Sequence, residues 1–196
     1  MASSMPCWSS SERWRLVWLA ALIGGLSVAP DVRAEGYEVR SVEGHVVNGI
    51  YVVDSTIDVG LSEDMRNALN NGVALTFLVE VEMHAPRRYI WDALIVRSTQ
   101  RLTLEYHALT GGYVVNNEST HTRRSFPSLE EALHGLGELK AMAVSEERFL
   151  PARTPFSGRL RMSLDVESLP PPLRPIAYLS PEWHLRSDWR RWTVEP

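Results

Sequence analysis

The segment "VALTFLVEVEMH" alternates almost without a break. Val73, Leu75, Phe77, Val79, Val81 and Met83 fall on one face, with Thr76, Glu80, Glu82 and His84 on the other. A period of two means one face buried and one face wet, which is the habit of an antiparallel sheet. The pattern recurs. In "YVVDSTIDV", Tyr51, Val53, Ile57 and Val59 oppose Asp54, Thr56 and Asp58. In "TQRLTLEYH", Leu102, Leu104 and Tyr106 oppose Thr103, Glu105 and His107, and in "RLRMSLD", Leu160, Met162 and Leu164 oppose Arg159, Arg161, Ser163 and Asp165.

Two helices interrupt the strands. Ser62 is placed as the N-cap of the first, with Glu63 and Asp64 in its positive first turn. Met65, Ala68 and Leu69 form its apolar stripe, and Asn71-Gly72 ends it. The second is predicted from "PSLEEALHGLGEL", where Ser128 and Glu131 make a capping box and Leu129, Ala132, Leu133, Leu136 and Leu139 recur at helical spacing. Gly135 and Gly137 each weaken it by roughly 1 kcal/mol relative to alanine. Gly111-Gly112 breaks the chain, and "YVVNNESTHTRRSF" reads as a hairpin turning at Asn116-Asn117. "SLPPPLRP" cannot sit in a central strand and is expected on an edge or as a strap. The fold class expected is α+β, a predominantly antiparallel β-sheet or sandwich with two short helices.

The N-terminus reads as a secretory signal peptide. Arg13 and Arg15 precede an apolar run from Leu16 to Ala29, and Val32-Arg33-Ala34 offers small residues for cleavage after Ala34. The run is short for a membrane span, which needs about 20 residues; an N-terminal membrane anchor is the alternative. Residues 35–196 then form a single exported domain in the periplasm or cell envelope. Cys7 is the only cysteine and lies before the cleavage point, so disulfides, thiolate metal sites and a cysteine nucleophile are excluded from the mature chain. Removing Glu12, Asp31, Arg13, Arg15 and Arg33 takes the formal net charge from −4 to −5. An acidic chain is a poor nucleic-acid binder.

Several groups of residues could carry chemistry. Glu80, Glu82 and His84 line one strand face, and Glu105 and His107 line another. If the two strands pair, a carboxylate–histidine cluster for a metal or for acid–base work could form. Against that stands the ordinary reading of a solvated sheet face, and there is no HExxH spacing to fix ligands locally. No G-x-S-x-G elbow, P-loop or dinucleotide fingerprint is present, so no catalytic residue and no cofactor is indicated. Arg87-Arg88, Arg123-Arg124 and Arg190-Arg191 could gather into one basic patch for a protein partner, glycans or a peripheral membrane contact. Their ordinary reading is scattered surface ion pairs.

The C-terminal "PEWHLRSDWRRW" first looks like an aromatic–basic motif. Its alternation argues for a terminal strand. Trp183, Leu185 and Trp189 share one parity and are expected in the core, while Trp192 is left over as the candidate for an exposed contact.

The ordered blocks "GIYVVDSTIDVGLSEDMRNALNNGVALTFLVEVEM", "RLTLEYHALTGGYVV", "SFPSLEEALHGLG", "RLRMSLDVESLPPPLRP" and "EWHLRSDWRRW" resemble a family of bacterial exported proteins catalogued as domain of unknown function 4390. The resemblance covers nearly the whole chain after Ala34. It implies a Gram-negative envelope location and, through a membrane sensor kinase of the nitrogen-regulation type often encoded beside its members, an envelope protein partner. The family supplies no catalytic residues. The function expected is therefore a non-enzymatic binding or interaction domain, with an accessory role to such a kinase as the form the resemblance suggests; the alternative is an envelope hydrolase or metal-dependent enzyme with an unrecognised site.

Overall fold

The computed structural model describes residues 36–87, 92–151 and 155–194. The long alternating segments form strands β2 (Ile50–Asp58), β3 (Leu75–Ala85), β4 (Ala93–His107) and β8 (Phe156–Leu164). Between and around them lie β1 (Glu38–Val47), β5 (Gly112–Asn117), β6 (Thr122–Phe126), β7 (Glu138–Glu146) and β9 (Arg190–Val194). All pairings are antiparallel and build two sheets, β1-β2-β7 and β6-β5-β4-β3-β8-β9. The apolar parity of each strand is the buried one: Phe77, Val79, Val81, Leu104, Leu160 and Met162 are fully buried on the large sheet, facing Tyr51, Val53 and Ile57 from the small one.

The sheets are joined along both sides. On one side the Tyr51 ring meets Phe156 edge-on at 6.2 Å, and Trp192 Nε1–H donates to the Tyr51 hydroxyl at 3.2 Å. On the other, Ser98 Oγ donates to the Ala143 carbonyl at 3.1 Å. The result is the expected α+β sandwich.

Helices α1 (Glu63–Asn70) and α2 (Leu129–Gly137) begin at the predicted caps. Ser62 Oγ accepts from Met65 N–H at 3.3 Å, and Ser128 Oγ accepts from Glu131 N–H at 3.2 Å. The two glycines of α2 have a packing reason that outweighs their propensity cost. A Cβ on Gly137 would lie 1.9 Å from the Ile57 carbonyl oxygen, and one on Gly135 would lie 2.3 Å from Phe126 Cζ. Only bare backbone lets this helix wedge between β2 and the β5–β6 hairpin.

Three expectations need correction. The hairpin after β5 turns three residues later than predicted, at Ser119-Thr120, because Asn117 Oδ1 accepts from the N–H groups of these two residues at 3.0 and 3.2 Å and starts the turn itself. The proline segment is no extended strap. It turns through Leu173 into a third helix, α3 (Arg174–Leu179), with Pro175 in its first turn, where no intrahelical N–H is needed.

The third correction concerns the tryptophans. Trp183 lies in a 3₁₀ turn, and the chain then runs beside β8 through a bridge between Arg186 and Ser163 before β9 begins. Four residue steps from Arg186 to Arg190 oppose three from Ser163 to Leu160, so this strand carries one extra residue. A bulge flips the side-chain parity beyond it. Trp183 and Leu185 are buried as expected. Trp189, however, emerges on the outer face. Trp192, opposite Gly158, turns inward to pack half-buried against the core. A Cβ on Gly158 would lie 2.2 Å from the Trp192 ring.

Trp183 Nε1 has no hydrogen-bond partner among the described residues. Trp183→Ala is expected to cost about 3–5 kcal/mol of stability by cavity formation. Trp183→Phe, which keeps an aromatic ring and deletes the unpaired N–H, should cost markedly less. Urea titration of both variants checks this, and equal losses would show that ring packing does not set the contribution.

Candidate functional site

The outer face of the large sheet carries the polar parity, and the strand register arranges it in rows. Arg191 on β9 stands opposite Arg159 on β8, Arg159 opposite Glu82 on β3, and Glu82 opposite Arg97 on β4. One carboxylate thus sits in a row with three guanidinium groups. Glu82 is 2% exposed, an unusual position for an acid on an outer face. Arg97 Nε donates to its Oε1 at 2.8 Å, and Arg159 Nε donates to its Oε2 at 2.7 Å. His84 Nε2 lies 3.0 Å from Oε2.

Burial pushes the Glu82 carboxyl up, but hydrogen bonds from Arg159, His84 and Arg97 and the charge of Arg159 outweigh it and hold the group at about 2. An ionised carboxylate only accepts, so the Nε2 of His84 carries the hydrogen in this contact. The neighbouring row repeats the motif, with Arg161 Nε donating to Glu80 at 2.6 Å. Trp189 covers both arginines, its ring centroid 4.5 Å from the Arg159 guanidinium carbon and 4.3 Å from that of Arg161.

The predicted carboxylate–histidine cluster is split by this register. Strands β3 and β4 do pair, yet Glu82 meets Arg97, eight residues and about 27 Å along the strand from Glu105. His107 ends β4 opposite Gly112, where Arg123 Nη2 donates to its Nε2 at 2.9 Å. Only Glu80, Glu82 and His84 stay together. Among the described residues no group of three or more histidine, cysteine or acidic side chains could hold a metal ion. Both Glu82 oxygens already accept from guanidinium groups.

The arginine pairs do not form one patch. Arg123 and Arg124 lie on β6 and Arg190 and Arg191 on β9, the opposite edges of the sheet, about 24 Å apart across five strand spacings. Arg124 donates to the Gly135 carbonyl and stands over the Phe126 ring. Arg87 follows β3 and is exposed, while Arg88 lies outside the described residues.

A second feature lies at the β1–β2 turn. Asn48 and Gly49 both have positive φ, 51° and 76°, the geometry of the tight turn that Asn-Gly favours. Around it Val46, Val47 and Ile50 are 46%, 41% and 40% exposed. Phe149, 59% exposed, belongs to a 3₁₀ turn (Glu147–Phe149) tied to this tip by Glu147 N–H donating to the Gly49 carbonyl at 2.9 Å. Sequence reasoning overlooked this tip, although Asn-Gly between two valine-rich runs is a strong hairpin signal.

The chain is thus an antiparallel sandwich with a charge-laddered outer face and an apolar tip. The family model described as Domain of unknown function (DUF4390) matches residues 34–193, and the chain belongs to that family. No curated protein and no solved structure matches it.

Because Glu82 is held near 2, below its ordinary 4.5, its contribution to stability is fully present above pH 4.5 and is lost as pH falls through about 2. Glu82→Gln leaves the buried donors facing a neutral amide and is expected to cost on the order of 3 kcal/mol at neutral pH. It should also flatten the stability–pH curve between pH 4.5 and 2. Denaturant titrations across that range check both; an unchanged acid limb would refute the assignment.

Proposed function

We propose that this protein is an exported domain of the bacterial cell envelope that holds a protein partner and carries out no chemistry of its own. The observation that carries the reading is the apolar tip. Exposed apolar side chains gathered about one hairpin turn suit a contact site. Here they are held by a tight turn and a backbone hydrogen bond, so little ordering entropy is lost on binding. Arg148 pairs with Glu146 at 2.7 Å and stands over the Phe149 ring, which leaves Glu147 as the unbalanced charge of the turn, an arrangement that suits a protein partner better than an anionic membrane surface. The leader-like N-terminus supports export. The gene neighbourhood implied by the family resemblance makes a membrane sensor kinase the first partner to test.

The double variant Val47→Glu/Phe149→Glu changes only exposed positions and should leave the thermal midpoint nearly unchanged. It is expected to lose the proteins that the wild-type chain retains from a cross-linked envelope extract, and to reproduce the effect of gene deletion on the neighbouring kinase's output. A variant that folds and retains the same partners as wild type would overturn the proposal.

A further inference from the structure

Like charges directly opposite each other on neighbouring strands are destabilising. Arg191 and Arg159 occupy such a pair on the outer face. Arg159 is balanced by Glu82. Arg191 is exposed and has no ion pair among the described residues. The row therefore holds three guanidinium groups against one carboxylate, with the excess at its β9 end.

That end opens on a hollow of about 230 Å³ lined by His84, Asp92, Ser157, Gly158, Arg159 and Arg191. We propose that this hollow is a phosphate-binding site, in which an anion seated between Arg159 and Arg191 relieves their repulsion.

Three features of the lining select the ligand. Arg159 gives Nε and Nη2 to Glu82 and is braced by the Trp189 ring, so its remaining guanidinium donors are set in place before binding. The two guanidinium groups, the Ser157 hydroxyl and the His84 ring reach the lining from three different strands. A planar carboxylate meets one fork, whereas a tetrahedral oxyanion offers acceptors in several directions.

Asp92 is the one acidic group in the lining. It repels a fully ionised anion but accepts a hydrogen bond from a P–OH group. A phosphate that keeps a proton satisfies it; sulfate, with no proton to donate near neutral pH, leaves a carboxylate facing an anion. The site thus takes inorganic phosphate or a phosphate ester in preference to sulfate. It faces the outer side of the large sheet and does not depend on the partner reading of the apolar tip.

The test is thermal unfolding of the purified full chain with phosphate, sulfate or chloride at matched ionic strength, with calorimetric titration of inorganic phosphate into the folded wild type. Millimolar phosphate is expected to raise the midpoint by several degrees and sulfate by much less. Arg191→Ala, at an exposed edge position, should remove the phosphate effect. Arg191→Glu should raise the midpoint in phosphate-free buffer by replacing repulsion with an ion pair, and should abolish binding. Asp92→Asn should bring sulfate up to phosphate. Phosphatidic-acid vesicles run in parallel separate the sources: sedimentation with the vesicles that depends on Arg191 assigns a lipid headgroup, and a calorimetric signal without sedimentation assigns a soluble phosphate. Equal shifts with all three anions, no heat with phosphate, or an Arg191→Ala chain that still responds would overturn the proposal.

Discussion

The buried carboxylate of Glu82 is the tie on which the outer face of the large sheet depends. It lies on β3 and accepts from β4 through Arg97 and from β8 through Arg159, so one side chain clamps three strands across the middle of the sheet. The clamp is costly to assemble, because a carboxylate and parts of two guanidinium groups leave water together. It is also specific. A register slip of one residue would put Glu82 opposite Val96 or Ser98 on one side, or Gly158 or Leu160 on the other, and take its arginine partner away. Apolar alternation already fixes which face of β3 is buried; the arginine pairs fix how far each neighbour is shifted along it.

Strands with an unbroken period of two were legible in the sequence, and so were the two capped helices, because both signals are local. The pattern breaks at β1, at β7 and in the run before β9, where a strand was expected but with another parity, and each break has the same cause. The register of β1 shifts between Val39 and Ser41. That of β2 against β7 shifts between Val53 and Ser55, where Ala141 takes a φ of 50° and its N–H donates to Asp54 Oδ1 at 2.6 Å. The run before β9 holds one extra residue. A bulge reverses the parity that sequence reading relies on, which is why Trp189 and Trp192 exchanged their expected roles.

The candidate site was half legible. Its residues stood out as a polar parity on β3 and β8, but which carboxylate meets which arginine is decided by register between segments about eighty positions apart in the chain. Glu82 and Arg159 cannot be matched from spacing alone. The same limit explains the split of Glu105 and His107 from His84: pairing of their strands entered the sequence reading only as a condition, and its register was beyond the reach of periodicity.

The arginines of β9 invite a simpler explanation. Edge strands are protected from pairing with other chains by charges, bulges and short length. This one has all three: five residues, a preceding bulge, and Arg190 and Arg191. Edge protection, however, is indifferent to which charge stands where. A lysine or a glutamate at position 191 would serve as well, and glutamate would also pair with Arg159. What protection does not require is a guanidinium directly opposite another guanidinium, beside a hollow and with the second one already clamped. Arg190, which shares the row of buried Leu160, is accounted for by its place on an edge. Arg191 is not, and the repulsion it introduces is an arrangement that makes physical sense when an anion completes it.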